Sequence, residues 1–183
     1  MSIKMITPPG RASYPQLVTP TSHNEGGEPQ FSIVCMFDEE TDLTELEGVI
    51  REVATEAFGA KAVNELKSGK LYSPIRTDGE SKGYPKGSRF FSAKTKNRPG
   101  VVGSLAGEDG KPKPLDDVAK EIYAGCYIRA SVAVFSFNRN GKRGVSIALN
   151  NVQKLGEGER IDGRMRAEDE FEAVETEPVA MAA

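Results

Sequence analysis

Residues 125–156 read GCYIRASVAVFSFNRNGKRGVSIALNNVQKLG, and the reading of this stretch decides the fold. Asn140-Gly141 suits a two-residue type I′ turn, because both residues tolerate positive φ. The turn predicts one long β-hairpin with Arg139 opposite Lys142 and Phe137 opposite Gly144, and side-chain alternation then sorts two faces. Ile128, Ala130, Val132, Val134, Val145, Ile147 and Leu149 fall on a core face. The other face sets Tyr127 against Lys154, Arg129 against Val152, Ser131 against Asn150 and Phe135 against Ser146. Phe135 and Phe137 therefore face residues too small to cover them. The hairpin contains no Asp or Glu, yet carries Arg129, Arg139, Lys142, Arg143 and Lys154.

Open rings flanked by cations suit a single nucleic-acid strand. Bases stack on the rings, at ~1–3 kcal/mol each, while cations track the phosphates. The competing reading is that Phe135 and Phe137 pack under a loop or a partner subunit, since an aromatic stripe is more often core.

Charge is segregated along the chain. The formal net charge is −3, but residues 162–183 hold seven acids against Arg164 and Arg166, a net −5 that leaves +2 for residues 1–161. Those 161 residues also contain an acidic block from Asp38 to Glu56, so the rest of their surface is distinctly basic. Such asymmetry points to nucleic acid on one side and a repelling or partner-binding tail on the other. The plainer alternative is a tail that only solubilises. At 183 residues, the chain is expected to form one binding domain over 1–160 with a flexible acidic tail over 161–183.

A second acid-free segment, KGYPKGSRFFSAKTKNRPGVVGS at 82–104, carries Lys82, Lys86, Arg89, Lys94, Lys96 and Arg98. Arg89–Lys96 alternates like a strand. One parity presents Phe90, Ser92, Lys94 and Lys96, the other Arg89, Phe91, Ala93 and Thr95. Tyr84, with Pro85 and Gly87, makes an entry loop able to present another ring. A lysine-rich strand is often only a protected sheet edge, a reading that two acid-free segments in one acid-rich chain make less attractive.

Elsewhere, Arg11–Thr19 and Phe31–Phe37 read as strands and Gly107–Pro114 as a loop. Asp42–Phe58 reads as a helix with Leu43, Leu46, Val49, Ile50 and Val53 at helical spacing. Asp42 and Glu45 resemble a capping box, and Gly59 is a stop. Short helices are expected at Ala60–Lys67 and Leu115–Tyr123. Three strands, a short helix and a strand pair give the order of a five-stranded OB barrel, mainly β, with the early helix inserted. Such barrels commonly bind oligonucleotides.

Several chemistries find no support. Gly69-Lys70 and Gly141-Lys142 lack both the upstream glycine and the following Ser/Thr of a phosphate-binding loop. A metal nuclease needs clustered carboxylates where the second half of the sheet has almost none. His23 is the single histidine, so no nucleophile has a plausible base beside it, and with Cys35 and Cys126 it makes no zinc set. No cofactor is expected. No apolar run is long enough for a membrane helix and the N-terminus has no signal-like segment. The two cysteines suit a reducing cytoplasm.

The segments YPKGSRFFSAKTKNRPGVV and YAGCYIRASVAVFSFNRNGKRGVSIALNNVQK, with the acidic Glu168-Asp169-Glu170-Phe171, resemble the bacteriophage single-stranded DNA-binding proteins of the OB-fold, acidic-tail type. The resemblance runs from about Phe31 to Phe171. It implies coating and protection of single-stranded DNA in phage replication or recombination, without catalysis, in the host cytoplasm. It also implies a tail, here Glu168, Asp169, Glu170, Phe171 and Glu172, that competes with DNA for the groove and contacts replication proteins. Here the chain runs on past the acids to Val179-Ala180-Met181-Ala182-Ala183, leaving Phe171 internal. The site expected from the residues comprises Tyr84, Phe90, Tyr127, Phe135 and Phe137 for bases. Lys94, Lys96, Arg129, Arg139, Lys142, Arg143 and Lys154 are expected at phosphates. A strand-annealing mediator, a protein–protein adaptor of the phage particle, and RNA as ligand stay open at this point, as does a homodimer formed through an edge strand.

Overall fold

In the computed structural model, residues 1–22, 25–161 and 171–174 are described. The long hairpin is its spine: β7 (Tyr127–Arg139) turns at Asn140-Gly141 into β8 (Lys142–Gly156). Both turn residues have positive φ, 52° and 77°, as the Asn-Gly pair requires.

The register runs as expected from Arg139↔Lys142 through Val132↔Leu149. It then slips by one, pairing Ser131 with Asn151, Ala130 with Val152 and Arg129 with Gln153, so Asn150 is an unpaired extra residue in β8. A second slip places Tyr127 opposite Gly156 rather than Lys154. A one-residue slip exchanges the faces of a strand. Val152 and Lys154 therefore turn inward, correcting the pairs expected for Ser131, Arg129 and Tyr127.

Three earlier strands complete a barrel: β2 (Gly10–Thr21), β3 (Gln30–Phe37) and β4 (Arg89–Thr95). β2 pairs with β3, β3 with β4, β4 with β8 (parallel, Lys94↔Ala148), β8 with β7, and β7 with the start of β2. This ring of five strands has the OB order. Additions extend the sheet. β1 (Ser2–Ile6) pairs antiparallel with the middle of β7, from Ser131 to Phe135. β5 (Gly100–Ala106) joins β8, and β6 (Pro112–Pro114) joins β5 as a proline-blocked edge. The segment expected as a loop is thus partly a hairpin, and β1 is a strand that sequence reading passed over.

Helix α1 (Thr44–Phe58) closes the inner side, burying Leu46, Ile50, Val53 and Ala54 against β7, β8 and β1. It starts two residues later than Asp42, whose carboxylate accepts the Thr44 amide (2.9 Å) in a local turn rather than capping the helix. α2 (Ala62–Ser68) follows, and α3 (Val118–Glu121) precedes β7. Phe37, Phe91, Ile33, Val132, Val134, Val145 and Ile147 fill the barrel beneath α1. Burial of Phe91 and Ala93 fixes the parity of β4: their face is the core, and Ser92 and Lys94 point outward.

Candidate nucleic-acid interface

The strand register brings one outward-facing residue from each of six strands into a single row. Gln16 (β2) lies beside Ser32 (β3), Ser32 beside Lys94 (β4), Lys94 beside Ala148 (β8), Ala148 beside Ala133 (β7) and Ala133 beside Lys4 (β1). Five inter-strand steps of ~4.8 Å make the row about 24 Å long. Ser32 and Ala148, on either side of Lys94, keep the floor low and leave a depression of about 900 Å³ across the outside of the barrel. Tyr14, Tyr72, Phe90 and Phe135 stand around it with Lys82, Arg76, Lys94 and Lys96. Beyond Asn150 it runs into a second hollow of about 660 Å³ bounded by Lys4, Asn97, Arg98 and Ser131. Among the described residues, Lys4 and Lys94 meet no carboxylate within ion-pair distance, whereas Lys96 holds Glu28 at 2.7 Å on the open surface.

Phe135 is half-buried opposite Ser146 and borders the groove. Phe137, two residues nearer the hairpin tip, is also half-buried, but for a reason the sequence did not disclose. Opposite it, Gly144 leaves room for the backbone of Tyr72, which pairs in parallel alongside β8 as a short strap. The Tyr72 amide donates to Arg143 O and Tyr72 O accepts from the Val145 amide, both at 3.0 Å. The Tyr72 ring then lies 5.9 Å from that of Phe137, tilted by 59°, and stays half in solvent. The two rings make a paired stacking surface. Arg139 and Lys142 continue past it, exposed at the tip, while Arg143 is drawn back to Glu65 (3.3 Å) and the Phe58 ring.

Other expected contacts sit elsewhere. Tyr84 is buried, its hydroxyl donating to Ser13 Oγ (2.6 Å) and its ring meeting Phe90 edge-on at 5.3 Å. Burial raises its phenol pKa. Phe90 is itself only 3 % exposed, with the Arg76 guanidinium over its ring at 5.4 Å. These two rings prop the groove wall and offer no free face to a base. Arg76 is fixed in turn by Asp78 (2.6 Å), a hydrogen bond that raises the guanidinium pKa and lowers that of the carboxyl.

Lys154 is a correction of the same kind. Turned inward by the strand slip, it is 7 % exposed and bonded to Glu121 (2.9 Å) and Glu157 (2.5 Å). Burial pulls its pKa down, but the bonds to Glu157 and Glu121 outweigh that and hold the ammonium above its ordinary range. It cannot reach a phosphate on the outer face. Tyr127 and Arg129 are on the surface at the far end of β7, with Tyr127 some eight residues, about 26 Å, from Phe135. There Tyr127 lies under Arg11 and Arg129 bonds Gln153 (2.7 Å). In the acidic segment, Glu168, Asp169 and Glu170 lie outside the described residues, and Phe171 and Glu172 are exposed.

Sequence reading did not assign Tyr14, Gln16, Tyr72, Arg76 or Lys4 to the site. Lys4 had a signal in the alternation of Ser2-Ile3-Lys4-Met5, and Tyr14 in the Tyr-Pro that interrupts a strand. Tyr72 had none, because its place depends on a glycine 72 residues away in sequence.

The architecture is thus that of an OB barrel with an open, cation-edged and ring-bordered groove on its outer face. The chain belongs to the family described as Enterobacter phage Enc34, ssDNA-binding protein, which it matches over residues 3–180. It is 30 % identical over 164 residues, 84 % of this chain and 83 % of the relative, to putative protein p50 of Acyrthosiphon pisum secondary endosymbiont phage 1. Among solved structures it is similar to the single-stranded DNA-binding protein of bacteriophage Enc34 in complex with ssDNA. That likeness has TM-score 0.63 and 22 % identity, covering 87 % of this chain and 88 % of the other. It is also similar to gp2.5, the single-stranded DNA-binding protein of bacteriophage T7, with TM-score 0.60 and 18 % identity over 99 % and 100 % of the two chains. At these identities the two structures speak for the fold. Among the described residues, no helix is long and apolar enough to cross a membrane.

Proposed function

We propose that this protein binds single-stranded DNA, without catalysis, by laying it across the barrel strands along the Gln16–Ser32–Lys94–Ala148–Ala133–Lys4 row. That row carries the proposal: small residues make a floor, Lys94 and Lys4 stand in it with no carboxylate partner among the described residues, and rings stand at its border. Bases stack on Phe135 and on the Tyr72–Phe137 pair. Phosphates lie against Lys4, Lys94, Lys96, Arg139 and Lys142, releasing counterions as they bind. Tyr84 and Phe90 serve as supports, and Lys154 as an internal tie. Family membership and the neighbour solved with ssDNA support the choice of ligand. Residues 1–160 would form the binding unit. The acidic segment with Phe171 would compete for the groove and contact phage or host replication proteins while the protein coats DNA during replication or recombination.

Two substitutions test the geometry. Phe135→Ala is expected to weaken oligo-dT binding by ~1–3 kcal/mol with an unchanged salt slope. Lys94→Ala is expected to flatten the slope of log K against log salt by ~0.7, the share of one phosphate. If neither variant departs from the parent, the strand does not cross this face.

A further inference from the structure

At the β2 end of the row, Tyr14 adopts a conformation that a bulky residue rarely takes. Its φ is 43°, in the left-handed region, where Gly and Asn sit with far less strain. The register between Ser13↔Val34 and Gln16↔Ser32 slips by one residue, so Tyr14-Pro15 is a bulge in β2. The strained turn does not serve packing, because the ring is 55 % exposed. Instead the ring is aimed outward beside Gln16, with Lys82 Nζ 5.4 Å from its centroid. Tyr14, Gln16 and Lys82 all border both the main groove and a neighbouring depression of about 700 Å³ between β2 and α3. They form the saddle where one passes into the other. Among the described residues, Lys82 is the one cation that lines the depression beyond, where Val18, Val118 and Ile122 offer nothing to more phosphates.

We propose that Tyr14 and Lys82 form a terminal nucleotide station, which rests on the single-strand reading above: the base at one end of the bound strand stacks on the Tyr14 ring. Lys82 moves from the ring to the adjoining phosphate. An exposed cation–ring contact is weaker than a base stack, so the incoming base displaces the ammonium. The bulge is what re-aims the ring into the strand's path, and a glycine there would relax the backbone while deleting the platform.

Labelled oligo-dT of graded length, from ~4 to ~12 nucleotides, separates the station from the rest of the groove. Tyr14→Gly is expected to bind long oligomers ~5–150-fold more weakly, while short ones that fill only the central groove bind as in the parent. Tyr14→Phe should match the parent at all lengths, and Lys82→Ala should flatten the salt slope only for long oligomers. Thermal unfolding of Tyr14→Gly guards against a folding defect, since loss of strain should leave it no less stable. Equal affinity of Tyr14→Gly and parent at every length overturns the station, as does a loss that is the same for short and long oligomers. A parent that binds no oligomer at all would instead sink the underlying single-strand reading and the station with it.

Discussion

Gly144→Ala probes the link between the hairpin and its missed partner ring. A Cβ at residue 144 would stand 2.5 Å from Tyr72 O and 2.6 Å from Tyr72 N and Cβ. These distances are about 1 Å inside optimal separation, and two of the three atoms are backbone. The strap must therefore lift, breaking the Tyr72–Arg143 and Val145–Tyr72 hydrogen bonds. Two backbone bonds at ~0.5–1.5 kcal/mol each put the local cost at about 1–3 kcal/mol. The lifted strap carries the Tyr72 ring away from Phe137, so binding should fall by about one base stack, ~5–150-fold. Hydrogen exchange at the Tyr72 and Val145 amides reports the lifting, and oligo-dT anisotropy reports the affinity. In a double-mutant cycle, Tyr72→Ala should cost little more once Gly144→Ala is present, because both remove the same ring. Fast exchange at those amides with parental affinity would refute the argument, since the ring would have moved without consequence.

Lys154→Met should leave oligo-dT affinity and salt slope as in the parent, in contrast to Lys94→Ala; a flattened slope would mean the internal lysine reaches the DNA after all. Burial pushes the Cys35 thiol from its ordinary 9.0 up to about 12, so it stays neutral in the fold where the unfolded chain ionises. Stability is then fully present below about pH 9 and falls as pH rises toward 12. Between about pH 8 and about pH 10 the parent should lose about 1.4 kcal/mol more than Cys35→Ala in denaturant unfolding, and parallel declines would clear the thiol. Deleting the residues after Gly163 should tighten single-strand binding and extend it toward duplex; identical isotherms would reduce the tail to a solubility device.

The barrel was legible where local chemistry dictates geometry. Asn140-Gly141 set the hairpin and its near register, and alternation of Val, Ile and Ala marked its core face. The five-strand order followed from the sequence of strands and helices. Legibility failed where pairing over distance decides the outcome. The extra residue at Asn150 exchanged the faces of β8, which turned Lys154 from an expected phosphate contact into a buried tie. The small residue opposite Phe137 looked like open space, but Gly144 is vacant of side chain where Tyr72 pairs beside it. Tyr84 and Phe90 lie in an acid-free, basic segment, and that composition is blind to Tyr84 donating inward to Ser13. The six-strand row, with Lys4 at one end, needed the register of β1 on β7.

The central claim is tested most directly by anisotropy of labelled oligo-dT and a matched duplex over a salt series with EDTA present. Tight binding to the single strand, weak binding to the duplex and a log–log salt slope of about −3.5 are expected if the five cations along the groove engage phosphates. Binding that ignores salt, prefers the duplex or fails for both would contradict a single strand lying across the Lys94 row.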